Sequence, residues 1–190
     1  MDPGPADGAD AVGWLAVHRT GATEAEALAF FDSLPPPDPG GLAGRWRGIG
    51  LPTGHPFDGL LEFYGWYGKQ ILDAERVHPL LFTGAAGGPV PLEPAHLPLP
   101  LLRRVPAAAR VPVARWAFAV LRPLRRARRP GARVRTVTFR GVAGAAVVYD
   151  ALPVIDVLRA AGPDTLLGVM DMRGVPRPFF FVLTREASPG

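Results

Sequence analysis

Few residues in this chain are of types that do chemistry. Cysteine is absent, which excludes thiolate catalysis, disulfide frameworks and Cys-ligated zinc. Serine occurs only at Ser33, just before a triple proline, and at Ser188 in the tail. Neither lies on a strand-to-helix elbow, so a Ser-His-Asp hydrolase is not expected. The histidines at 18, 55, 78 and 96 form no i,i+4 pair and no acid–His ladder, so no metal is expected. His55 and His78 each precede a proline and read as turn residues. Gly84-Ala85-Ala86-Gly87-Gly88 lacks a following Lys-Ser/Thr and a βαβ context, so it is no phosphate loop, and no cofactor is implied. The remaining candidates are Lys69, Tyr149, Asp150 and Asp171. Lys69 is the single lysine beside twenty arginines, which singles out a primary amine, a compact and titratable charge. Asp171, between Met170 and Met172, suits a turn before Arg173-Gly174 as well as a polar handle in an apolar wall.

These residues need a scaffold. At 190 residues and 48% apolar, the chain fits one globular domain. No run approaches the roughly 18 apolar residues of a membrane span, and Met1-Asp2-Pro3-Gly4 lacks a secretory pattern, so the expectation is a cytoplasmic protein, or one peripheral to a membrane. Residues 1–22 and 187–190 read as loose ends around a single unit at 23–186. That unit divides into 23–97, an arginine-rich insertion at 98–130, and 131–186. Thr23 and Glu26 form a capping box for a helix at 23–34 that Pro35-Pro36-Pro37 stops. Leu42–Gly50 alternates as a strand, with Gly44, Trp46, Gly48 and Gly50 on one face and Arg45 and Arg47 on the other. A helix capped by Asp58 follows, then strands at 69–73, 77–83 and 90–93. Short helices interrupted at Pro100, Pro106, Pro112 and Pro123 fill 98–129. Strands at 133–140 and 142–149, a helix at 153–161, and strands at 165–172 and 178–185 complete the chain. About eight strands joined mainly by short turns favour a closed antiparallel barrel.

Gly44-Arg45-Trp46-Arg47-Gly48 resembles the signature of the bacterial GXWXG family. Gly65-Trp66-Tyr67-Gly68-Lys69 and Val77-His78-Pro79-Leu80-Leu81-Phe82 continue the likeness. The second half is similar to the domain of unknown function that usually follows, through Arg140-Gly141-Val142, Tyr149-Asp150, Leu152–Asp156, Leu167–Asp171 and Pro178–Leu183. The resemblance implies a calycin- or lipocalin-like barrel that binds hydrophobic ligands such as phospholipids or fatty acids, and it carries over no catalytic residue. Gly44-Arg45-Trp46 is also similar to the Gly-x-Trp of lipocalins, whose tryptophan closes the barrel floor beneath an arginine. Arg185 is the matching arginine, and both residues would be structural.

Residues 101–140 carry twelve arginines and no acid; the remainder carries nine basic and seventeen acidic groups, a net of −8. On a helical projection of 113–129, Val113, Trp116, Ala117, Val120, Leu121 and Leu124 form one arc, and Arg115, Arg122, Arg125, Arg126 and Arg129 lie opposite, with Phe118 on the arginine side. Such a helix either covers the barrel with its apolar arc and faces water with its arginines, or lies on an anionic membrane. Phe82, Phe139, Phe179 and Phe181 would line a ligand cavity together with Lys69, Tyr149 and Asp171, and at least one of Phe179–Phe181 must point outside the barrel. The expectation is non-enzymatic binding of an amphipathic lipid. The alternative is a cofactor-independent enzyme using Asp171 or Lys69 as acid or base. Nucleic acid is not an expected partner, because aromatic interleaving is sparse and no recognised module is present.

Overall fold

The computed structural model describes residues 8–94 and 110–187. Among them nine strands alternate with short turns: β1 (Gly44–Leu51), β2 (Trp66–Asp73), β3 (Arg76–Thr83), β4 (Pro89–Pro91), β5 (Ala132–Phe139), β6 (Val142–Tyr149), β7 (Val154–Gly162), β8 (Thr165–Met172) and β9 (Val175–Arg185). Every pairing is antiparallel, and eight strands close in the order β1-β2-β3-β5-β6-β7-β8-β9 and back to β1. β3 shares one edge between two partners. Its start meets β5 through the pair Val77–Ala132, and its end carries β4 through Leu81–Pro91 to Thr83–Pro89.

Among the described residues four α-helices, α1 (Gly8–Val17), α2 (Glu24–Ser33), α3 (Leu60–Phe63) and α4 (Pro112–Leu121), decorate the barrel. The capping box of α2 forms as its sequence dictates: Thr23 N–H donates to Glu26 Oε2 at 2.8 Å, and Glu26 N–H to Thr23 Oγ1 at 3.2 Å. Three expectations are corrected. Residues 8–17, expected loose, form α1, because Ala11 and Leu15 are buried and Trp14 stacks on Phe30 at 4.0 Å. The segment 153–161, expected as a helix, is strand β7. Asp58 does not cap α3; Gly59 at φ 72° takes that position, while Asp58 Oδ2 accepts from the N–H groups of Thr53 and His55. The expected breaks at Pro100 and Pro106 lie outside the described residues.

The sheet separates two apolar layers. Inside lie Trp46, Trp66, Phe82, Leu158, Phe179, Phe181 and their neighbours. Outside, α1 and α2 cover Ala146, Val157, Leu167, Val169 and Phe180. Phe179, Phe180 and Phe181 therefore split between the layers as the pleat demands.

Two glycines make the interior possible. A Cβ at Gly68 would fall 1.9 Å from the Trp46 carbonyl oxygen, so the bare backbone presses against β1 at a break in the β2 register. That irregularity turns both Trp66 and Lys69 inward although they are three residues apart. A Cβ at Gly48 would fall 2.4 Å from the Trp66 ring, so this glycine is the seat of the indole. Gly48→Ala is expected to lower stability by about 1–3 kcal/mol through forced displacement of Trp66. Gly13→Ala, in α1 with open space around it, is expected to be neutral or to stabilise by up to about 1 kcal/mol. Urea titration of both variants checks the contrast, and equal losses would remove the steric argument.

Candidate functional site in the barrel interior

A polar crosspiece spans the barrel. Lys69 on β2 and Asp156 on β7 belong to strands at opposite sides of the ring, and Nζ meets Oδ2 at 2.6 Å with the residues 2% and 1% exposed. The ammonium also donates to Tyr149 Oη at 3.1 Å and to the Pro79 carbonyl at 3.1 Å, so its three donors meet three acceptors. Tyr149 in turn donates to Asp156 Oδ2 at 2.9 Å. Pro79 lies where the β2–β3 register shifts. Around Nζ stand the rings of Phe181, Tyr149 and Trp66, with centroids at 5.0, 5.5 and 5.9 Å. Burial pushes the Tyr149 phenol well above its ordinary pKa, and the Asp156 carboxylate adds to the shift, so the hydroxyl stays protonated as a donor.

One end of the barrel is closed by Trp46. Its Nε1–H donates to the Leu42 carbonyl at 2.9 Å, and the Arg185 guanidinium lies over the ring at 4.1 Å. Arg185 is fixed by the Gly41 and Ala43 carbonyls and by Asp164. A Cβ at Gly44 would stand 3.0 Å from Arg185 Nη1. Each fixed residue of the Gly-x-Trp-x-Gly pattern thus has a steric or stacking duty: Gly44 admits Arg185, Trp46 seals the floor, and Gly48 admits Trp66.

The other end carries the 53–58 loop, α3 and α4. Phe118 of α4 reaches inward to Tyr64 and Phe82, with ring centroids at 4.8 and 5.2 Å. The expected apolar arc of α4 does not cover the barrel. Val113, Trp116 and Leu124 are 74%, 69% and 81% exposed, and Val120 is exposed beside them. Phe118, on the arginine side of the projection, makes the inward contact instead. Of the arginines, Arg115 is exposed with its guanidinium over the Phe63 ring at 5.5 Å. Arg122 donates to the Thr83 carbonyl. Arg125 and Arg126 join the main chain of this segment to Glu93 and Leu92 beside β4, and Arg129 is exposed.

Of the residues expected at a cavity, Lys69, Phe82, Tyr149, Phe179 and Phe181 come together inside the barrel. Two do not. Phe139 packs on the outer layer against Phe31, and Asp171 is exposed on β8, where the pleat directs it away from the interior. Asp150 is a surface partner of Arg133. Asp156 was missing from the expected set, because a helical reading of 153–161 places it on a solvated face. His55 is also more than a turn residue: it is buried, its ring stands edge-on to Phe179 at 5.5 Å, and its Nδ1 accepts from the Phe57 N–H at 3.0 Å. Burial pushes its pKa below the ordinary 6.5, against the Asp58 carboxylate and a hydrogen bond to the Arg177 main chain, which favour the charged ring. No group of acids and histidines suited to a metal ion occurs among the described residues, and no described helix is long and apolar enough to cross a membrane.

Residues 29–87 match the family model described as GXWXG protein, and residues 130–185 match that of a domain of unknown function, DUF4334. No curated protein matches the chain. The crystal structure of a protein from Thermomonospora curvata is similar at 29% identity and a TM-score of 0.69, over 94% of this chain and 99% of that one.

Two predictions test the site. Lys69→Met strands a buried carboxylate and is expected to cost about 3–5 kcal/mol, whereas Lys69→Met, Asp156→Leu and Tyr149→Phe combined recover most of that loss. Urea midpoints decide, and a triple variant no more stable than the single one would refute the coupling. For His55, the folded-state pKa lies below the unfolded value, so its contribution is complete above about pH 6.5 and declines as pH falls through 6.5 toward the folded-state value. Half-buried His78, also lowered by burial, acts in the same window. Stability measured from pH 7.5 to 5 should fall in the native chain and fall less in His55→Asn, whose amide oxygen can replace Nδ1 as acceptor; identical slopes would contradict this.

Proposed function

We propose that this chain, a GXWXG protein with a C-terminal domain of unknown function, binds a hydrophobic or amphipathic ligand of the phospholipid or fatty-acid type within its barrel and meets an anionic membrane surface through α4. The observation that carries this reading is the two-sided character of α4. One side sends Phe118 onto Phe82, and the other leaves Val113, Trp116 and Val120, with Leu124 in the 3-10 turn that follows, in solvent next to arginines. A helix that only sealed the barrel would turn that apolar stripe inward. Insertion of the stripe into lipid relieves its exposure, and nearby arginines add about 1 kcal/mol each at an anionic surface.

In this mechanism the ligand's apolar part takes the place of Phe118 above the crosspiece when α4 docks, and its headgroup stays among the arginines. Trp46 and Arg185 keep the far end shut. A membrane-peripheral location follows from the same reading. A second reading, an enzyme with Lys69 as acid or base, draws on the burial of Lys69 beside Tyr149 and Asp156. It requires that Lys69 first give up one of its three acceptors, and loss of turnover of a hydrophobic substrate in Lys69→Met at unchanged binding would favour it.

Purified protein is expected to release lipid on solvent extraction, identified by mass spectrometry. It should also sediment with vesicles containing phosphatidylserine in preference to pure phosphatidylcholine, less so at high salt. Trp116→Ala with Leu124→Ala should weaken sedimentation at least about ten-fold, since each side chain contributes about 1.5–3 kcal/mol when buried in lipid. Protein that retains no lipid and ignores anionic vesicles would overturn the proposal.

A further inference from the structure

The turn that begins at His55 contains one peptide plane held at both ends. Its N–H, that of Phe57, donates to His55 Nδ1 at 3.0 Å, and its C=O, that of Pro56, accepts from Arg110 Nη2 at 3.0 Å. Arg110 also donates to the Asp58 carbonyl at 2.6 Å and stands two residues before Pro112, the first residue of α4. The side chain of a buried histidine and the entry to α4 are thus joined through a single rigid unit. The far end of α4 is anchored separately, by Arg122 on the Thr83 carbonyl.

Protonation of His55 turns the first of these contacts against itself. Nδ1 accepts only in the neutral ring; in the imidazolium it carries a hydrogen and faces the Phe57 N–H as a second donor. An acceptor for that hydrogen lies in the same turn. The Asp58 carboxylate, whose Oδ2 accepts the His55 N–H at 2.8 Å, leaves Oδ1 buried and unpartnered.

The surroundings set the direction. Burial and the Arg177 guanidinium favour the neutral ring, whereas Asp58, the hydrogen bond to the Arg177 main chain and Glu24 favour the charged one. Glu24 of α2 and Arg177 of β9 pair with each other at 2.7 Å, and Glu62 of α3 accepts the Gly50 N–H at 2.5 Å. Arg110 adds a positive charge at the Pro56 carbonyl, and the rings of Phe57 and Phe179 stand edge-on to the imidazole. The net shift is downward, so the neutral arrangement holds at pH 7 and the charged one is populated as pH falls below 6.5.

We infer that the Pro56–Phe57 peptide is a proton-operated latch on α4: neutral His55 holds the plane in place, and a proton on Nδ1 directs the imidazolium to Asp58 Oδ1, swings the plane and releases Arg110 with the first turns of α4. The latch acts whatever the barrel binds.

The test is backbone amide hydrogen exchange in the full chain, followed by NMR from pH 7.5 to 5 and corrected for the intrinsic pH dependence of exchange, with the His55 ring nitrogens titrated in the same samples. Protection of Phe57, and of Trp116 and Ala117 in α4, is expected to drop at least about ten-fold with the midpoint of the His55 ring, the effect of losing a buried hydrogen bond. Phe180 of β9, covered by the outer layer, should keep its protection. In His55→Asn, whose amide oxygen accepts the Phe57 N–H at any pH, the drop should vanish. In Arg110→Ala the α4 amides should be equally unprotected at both ends of the range while Phe57 still responds. Asp58→Asn should lower the His55 midpoint by about one pH unit, and it replaces His55→Asn if that variant does not fold. Protection of α4 that is constant across the range, that changes with a midpoint other than that of His55, or that drops equally in His55→Asn overturns the latch. Equal loss at Phe180, or an unmoved midpoint in Asp58→Asn, overturns it as well.

Discussion

An ion pair that crosses a barrel from wall to wall constrains everything around it. Lys69 and Asp156 reach toward each other from opposite strands, and removal of either leaves a charge in an apolar interior. Their geometry demands the break in β2 at Gly68, which aims Lys69 inward, and the irregular stretch of β3 whose Pro79 carbonyl receives the third ammonium proton. It also demands Tyr149 at the end of β6 as a protonated donor. Trp46 beneath the Arg185 guanidinium and the Phe82–Phe118 contact with α4 belong to the same apolar interior as the pair.

Much of this was legible in the sequence where burial is one-sided. β1 shows its alternation, the 140–141 turn shows the β5–β6 hairpin, and the unbroken Phe179–Phe181 run signals burial on both faces. Lys69 stood out by composition. What was not legible is the strand whose two faces are both covered. Along β7, Val154 and Leu158 face the interior, while Val157 and Ala161 face α1 and α2. Together with Ile155 these positions reproduce the i, i+3, i+4, i+7 spacing of an amphipathic helix, and Asp156 and Arg159 fall on what looks like its wet side. Both are in fact buried, on opposite faces of the sheet. The partner of Lys69 was hidden by that coincidence of periods. Phe139 and Asp171 fail for the related reason that face assignment along a strand depends on a register that sequence alone does not fix.

The arginines divide by structural duty. Arg133, Arg135 and Arg140 pair with Asp150, Glu75 and Asp32, acids drawn from separate parts of the chain. Arg140 even holds a left-handed conformation, φ 51°, at the tip of the β5–β6 hairpin while keeping both guanidinium bonds to Asp32. These residues tie hairpins and α2 to the barrel. Residues 101–140 contain no acid, so every acid that meets these arginines comes from elsewhere in the chain.

The closure between β3 and β5 rests on one registered residue pair, Val77–Ala132, whereas β5 and β6 share eight. A cylinder joined so unevenly has a seam, and any swelling of its girth concentrates there because parting that line sacrifices the fewest ladder bonds. β4 and the chain leaving α4 lie along the same side. A widening of the wall along that line would therefore be felt first at β4 and at the chain leaving α4.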